Sequence, residues 1–183
     1  MIFHVHRISA FGRLFFPCLR RSIVRSVLYI LLSCISSLIF SLQPAYSATT
    51  TRFDACFAQA GQRYLIDPLL LKSIATVESS LIPDRINHNK EKGKILSTDY
   101  GLMQINSSHI PNLKKLGVIK DKSELIDNPC LNIQIGAWIL ATHFQKCGIN
   151  WSCLGSYNAG FKESNEQKRI KYARYVYNKY MVR

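Results

Sequence analysis

Three short stretches carry residue types able to do acid–base and hydrogen-bonding chemistry: I-A-T-V-E-S-S-L from Ile74 to Leu81, Y-G-L-M-Q-I-N from Tyr100 to Asn106, and S-Y-N-A-G from Ser156 to Gly160. In the first, Glu78 is a lone carboxylate among apolar residues. At about 100° per residue, Leu70, Leu71, Ile74, Ala75, Val77 and Leu81 share one arc of a helix, and Glu78 projects from inside it. Lys72, Ser73, Thr76, Ser79 and Ser80 take the other side. A carboxylate held on a buried face loses hydration, which disfavours its charged form and raises its pKa. Such a group suits general acid catalysis. The competing reading is a structural carboxylate paired with Arg or Lys, because buried acids are uncommon without a partner. The helix alone leaves both open.

The second stretch sets two amides, Gln104 and Asn106, among apolar neighbours, with Gly101 permitting a close backbone approach. Side-chain amides both donate and accept, as recognition of hydroxyl and acetamido groups requires. An ordinary turn leading into a helix is the plainer reading. In the third stretch Tyr157 offers a hydroxyl on a rigid ring and Asn158 an amide, suited to a polar ligand or to a helix C-cap.

Helices must position these residues. Phe53 to Leu65 shows apolar spacing of three and four. Asp67-Pro68 signals the start of a second helix, with Asp67 as N-cap and Pro68 in the first turn. Pro83 is expected to end it. Residues 84–99 are polar, charged and without a clear period, which predicts an exposed loop or small hairpin and a candidate cleft wall. No EF-hand pattern is present there. Ser107 or Ser108 caps a short helix through Leu116, closed by Gly117. Asn128-Pro129 repeats the cap-then-proline signal for a helix from Cys130 to about Lys146 that is apolar nearly all round and belongs in the middle of a domain. Trp151 to Tyr157 reads as a helical turn. Ser164 and Gln167 form a capping-box pattern for a last helix with Tyr172, Tyr175, Val176 and Tyr180 on its inner stripe and Lys and Arg outside. Aromatic and basic residues so interleaved also suit single-stranded nucleic acid, but a packing face with solvated charges is the better reading in an exported chain.

Export is read from the first 48 residues. Five arginines and no acid precede the apolar run Val27 to Phe40 and then Q-P-A-Y-S-A, the order of a secretory signal peptide. The run is short of the ~20 residues that span a bilayer, so cleavage after Ser47 or Ala48 is expected in preference to an anchor. L-L-S-C at Cys34 faintly resembles a lipoprotein box, yet the apolar run continues past it. The expected organisation is a signal peptide over 1–48 and one domain over 49–183. Without the five leader arginines, 19 of the 24 Lys and Arg remain against 11 Asp and Glu, a formal +8 that favours anionic polymers. Export selects a cell wall or acidic membrane over nucleic acid. Four cysteines remain: Cys56, Cys130, Cys147 and Cys153. An even count in a small exported domain reads as disulfides, with three connectivities open. Local pairing of Cys147 with Cys153 would leave Cys56 for Cys130. No metal-ligand spacing accompanies them, so neither metal nor cofactor is expected.

E-S-S, then G-L-M-Q-I-N, then Y-N-A-G, in this order and at these separations on an exported helical domain, resemble the lytic transglycosylases of the lysozyme-like superfamily. S-T-D-Y-G-L-M-Q-I-N and the N-P-C before the long helix are similar more narrowly to the small invasion-associated and conjugative-pilus enzymes. The resemblance implies a mainly α, compact single-domain lysozyme-like fold, with a small hairpin or loop flanking the cleft. It implies cleavage of peptidoglycan between N-acetylmuramic acid and N-acetylglucosamine, leaving 1,6-anhydromuramic ends. It further implies a periplasmic location and, as partners, glycan strands and components of a secretion, pilus or conjugation apparatus. Glu78 is implied to be catalytic acid and base. Ser79, Met103, Gln104, Asn106, Tyr157 and Asn158 are implied to line the cleft, with Tyr157 hydrogen-bonded near Glu78 and Met103 against a sugar face. One carboxylate suffices because the substrate supplies its own nucleophile, whereas most hydrolytic glycosidases need two. Asp99, two residues before Gly101, keeps a lysozyme-type hydrolase in view, although a loop-fixing role suits it better. A non-catalytic wall-binding domain is the third reading. Ser156 where Ala often precedes Y-N-A-G, and the longer K-E-K-G-K-I-L loop, depart from the family pattern.

Overall fold

The computed structural model describes residues 52–182. The expected leader, 1–48, lies outside them. Helix α1 (Asp54–Tyr64) and helix α2 (Pro68–Ser79) are joined by a tight turn in which Leu65 takes a left-handed φ of 55°. Asp67 Oδ1 accepts from Leu69 N at 2.8 Å, the cap read from the sequence. Lys72 Nζ reaches Asp54 Oδ1 at 2.8 Å and ties the two helices together.

Helix α2 stops sooner than Pro83 would impose. Ser80 and Leu81 both adopt left-handed backbone, φ 58° and 61°, and end the helix at Ser79. Leu81 therefore lies beyond the helix. The polar side of α2 is also narrower than expected, since Ser73 and Ser79 are buried. Their hydroxyls donate to the carbonyls of Leu69 and Ala75, at 2.7 and 3.0 Å, which satisfies them without water.

Residues 84–99 fold as a hairpin. Strand β1 (Ile86–Glu91) pairs antiparallel with β2 (Lys94–Tyr100), and β2 with the short β3 (Ile105–Asn106). Lys92 and Gly93 both have positive φ, the twist a two-residue hairpin turn needs. All of β1 is exposed, so neither of its faces imposes the apolar alternation that marks a half-buried strand.

A turn at Ser107–His109, capped by Asn106 and not by either serine, leads into α3 (Ile110–Lys115). The short α4 (Glu124–Asp127), absent from the sequence reading, precedes the long α5 (Pro129–Cys147), whose cap is Asn128. Two short helices, α6 (Trp151–Leu154) and α7 (Ser156–Ala159), lead to α8 (Glu166–Met181). The core forms where α1 packs on α5 and where α2 packs on α1 and α8, around Phe57, Leu71, Ile74, Ile133, Leu140 and Val176.

The capping box expected from Ser164 and Gln167 does not form. Ser164 lies in a separate turn, and Asn165 at the helix start turns its amide to Ala159 O, at 2.8 Å. Tyr175 is half-exposed, while Tyr172, Ala173 and Val176 make the buried stripe. Cys56–Cys130 links α1 to α5, and Cys147–Cys153 closes the loop after α5.

Candidate active site

Glu78 stands in the last turn of α2, which packs along α8. Tyr172, on the buried stripe of α8, donates its hydroxyl to Glu78 Oε1 at 2.5 Å, a charge-assisted distance. Burial pushes the Glu78 carboxyl up from 4.5 to about 7, Asp99 pushes it the same way, and the Tyr172 bond opposes them. The phenols of Tyr157 and Tyr172 are pushed up by burial and then by the charge of Glu78, so both remain protonated donors. Tyr157 also feels Asp99. Residues from α2, β2, α7 and α8 thus share one electrostatic neighbourhood around a carboxyl poised to hold or release a proton near neutral pH.

Asp99 is held from both sides. Asn89 Nδ2 donates to Oδ2 and Asn106 Nδ2 to Oδ1, each at 2.7 Å. The loop-fixing role expected of it is met through side-chain amides on the neighbouring strands β1 and β3, not through backbone.

Asn132 shapes the loop after β2. Its Nδ2 donates to Tyr100 O and Leu125 O at 2.8 and 2.9 Å, and its Oδ1 accepts from Met103 N at 2.7 Å. Gly101 sits against this amide with φ 75°; a Cβ there would come within 2.4 Å of Asn132 Nδ2 and of Leu125 O. The close approach expected at Gly101 is therefore to protein.

The residues expected to line a cleft divide. Ser79 is 1% exposed and back-bonded to its own helix, so it presents no hydroxyl to a ligand. Met103 is fully buried against Gly136, whose missing side chain leaves the notch it fills, and not against a sugar-facing surface. Gln104 is buried with φ 48°; its amide donates to Arg85 O and Gly101 O at 3.1 and 2.7 Å and accepts from Asn87 at 2.8 Å. It locks the loop to the chain entering β1. Asn106 spends its amide on Ser97, Asp99 and the backbone of Ser108. Tyr157, which feels the charge of Glu78, donates to Met103 O at 2.9 Å, and the direct bond to Glu78 is made by Tyr172. Asn158 is exposed, and its side chain makes no hydrogen bond with the described residues. The sequence reading missed Tyr172 and Asn132 as site residues. Tyr172 is one of several tyrosines on a helix stripe, but Asn132 leaves a trace as one of only three side-chain amides within the apolar helix.

A helical domain with one poised carboxyl beside a small sheet defines a lysozyme-like class. Residues 55–179 match the family described as Transglycosylase SLT domain, and the chain belongs to that family of peptidoglycan-cleaving lytic transglycosylases. Among individual proteins, it is 52% identical over 140 residues to a "Peptidoglycan-binding-like protein" of Escherichia coli O157:H7, covering 76% of this chain and 84% of that one. It is 37% identical over 130 residues to "Invasion protein IagB" of Salmonella typhi, covering 71% and 78%. Its fold resembles a solved inactive mutant of lytic transglycosylase Slt from Pseudomonas aeruginosa, with TM-score 0.52 and 20% identity, over 70% of this chain and 22% of that one.

Proposed function

We propose that Glu78 is the catalytic acid and base of a lytic transglycosylase acting between N-acetylmuramic acid and N-acetylglucosamine. Protonated Glu78 gives its proton to the linking oxygen as the anomeric C–O bond breaks. The resulting carboxylate, steadied by Tyr172, then takes the proton of the muramic acid 6-hydroxyl as that oxygen closes on the anomeric carbon. The product is a 1,6-anhydro sugar, and Glu78 ends in its starting state. The observation that carries this reading is the buried Glu78–Tyr172 pair, with the acid held near pH 7. Asp99, engaged by two amide donors, favours the protonated acid through its field and fixes the hairpin. Mass spectrometry of digested murein tests the scheme: the wild-type chain releases anhydromuropeptides one water lighter than hydrolysis products, and Glu78→Gln releases them at a rate lower by about 10²-fold or more. Hydrated ends from the wild type would instead favour a lysozyme-type hydrolase.

The same reading places the enzyme in the periplasm after removal of residues 1–48, opening murein locally for a secretion, pilus or conjugation apparatus. Support comes from the basic-then-apolar leader pattern and from the invasion protein among the relatives. Protease accessibility in spheroplasts, with murein turnover around the assembled apparatus, tests this part.

A further inference from the structure

One face of α5 is taken by the loop after β2: Asn132 bonds it and Gly136 receives Met103. Gln134 lies about 160° around the helix from both of those positions, and Trp138 about 160° from Gly136 and about 120° from Asn132. There they line a cavity of about 440 Å³ between α5, the end of α1 and the end of α3. Leu113 and Ile135 are buried in it, Tyr64 and Trp138 bring rings, and Leu116 and Val118 stand 58% and 39% exposed at its edge. Cavities that hold small ligands are of this size and mostly apolar, with a few convergent polar groups.

Two of the lining residues carry polar groups, Gln134 and Arg63. Gln134 Oε1 is buried and has no hydrogen-bond partner among the described residues. A buried acceptor forfeits its bond to water on folding, so an N–H donor brought to it is strongly favoured. Arg63 is exposed and forms no ion pair with the described residues; its guanidinium lies 5.6 Å from the centre of the Tyr64 ring. A guanidinium matches a carboxylate in charge and in geometry.

We propose that this cavity binds the C-terminal residue of a partner protein chain. Its large apolar side chain fills the cavity, its backbone N–H donates to Gln134 Oε1, and its terminal carboxylate pairs with Arg63. One terminal residue supplies all three groups. The alanine end of a murein stem peptide shares the amide and the carboxylate, but its methyl group would leave most of the apolar lining unmatched. The inference does not depend on the chemistry at Glu78, which is not among the residues lining the cavity.

The chain has two tryptophans, so Trp151→Phe leaves Trp138 as the reporter of the cavity. This protein is titrated with N-acetyl-L-leucine, with N-acetyl-L-leucinamide, which lacks the carboxylate, with 4-methylpentanoate, which lacks the amide, and with N-acetyl-D-alanyl-D-alanine. For so small a probe, N-acetyl-L-leucine should saturate the change in Trp138 emission with a dissociation constant of about 1–10 mM. The other three should bind about tenfold more weakly or worse. Adding Arg63→Glu, at an exposed position, should reverse the preference for carboxylate over amide while murein release stays unchanged. Adding Gln134→Leu should weaken N-acetyl-L-leucine and leave 4-methylpentanoate as it was. No saturable change, equal binding of all four probes, or binding that ignores Arg63→Glu would overturn the proposal. Tighter binding of the alanine dipeptide would overturn it in favour of the stem peptide.

Discussion

The Tyr172 hydroxyl meets Glu78 Oε1 at 2.5 Å across 94 residues of sequence, and this bond opposes the burial that lifts the acid to about pH 7. Tyr172 stabilises the carboxylate, whereas Asp99 destabilises it. The two neighbours therefore have opposite effects on when Glu78 is protonated. Tyr172→Phe is expected to move the alkaline limb of the kcat/KM profile upward, and Asp99→Asn to move it downward. Profiles of murein solubilisation from pH 4 to 9 check both; shifts in the same direction would contradict the assignment.

Glu78→Gln is expected to lower activity by about 10²–10⁴-fold, the span of a lost general acid, and to stabilise the fold at alkaline pH. Between pH 4.5 and about 7 the folded chain keeps a proton that the unfolded chain has released, so stability falls as pH rises through that window and levels off above it. Below the window the wild type and the variant should match more closely. At pH 8 the variant gains up to about 3 kcal/mol. Urea melts at pH 4 and pH 8 measure the difference.

Gly101→Ala forces a methyl group against Asn132 and Leu125 at a positive φ, with an expected cost of about 2–4 kcal/mol and loss of the loop's bond to α5. Gly117→Ala, also at positive φ but with open space around it, should cost only about 1 kcal/mol. Chemical denaturation of the two variants separates crowding from backbone strain.

The two disulfides should differ in worth because they close loops of different length. Removing Cys56–Cys130, with a separation of 74 residues, should cost about 4 kcal/mol, and removing Cys147–Cys153, with a separation of 6, about 2 kcal/mol. Paired Cys→Ala variants in urea give the comparison.

What could be read from the sequence follows from how local its cause is. Asp67-Pro68 and Asn128-Pro129 start their helices because capping needs only neighbouring residues. Glu78 stood out because one charge interrupts an apolar arc. The end of α2 falls before the stop that Pro83 signals, because Ser80 and Leu81 take a backbone that their side chains do not favour and that only the surrounding fold maintains. Met103, Gln104 and Ser79 looked like ligand contacts by type, but their hydrogen bonds and packing partners lie elsewhere in the chain, at Asn132, Arg85 and Gly136, or in the helix's own backbone. In the sequence Tyr172 reads as a packing residue, since periodicity reports which face is buried and not which side chain lies across from it.

The early stop of α2 has one more effect on the acid. A helix carries partial negative charge on the unpaired carbonyls of its last turn, and a carboxylate there is disfavoured within that turn's reach. By breaking at Ser80, the chain brings this end of the dipole to Glu78. Had the helix run on to Pro83, the same glutamate would stand a turn further from that field and would give up its proton more readily.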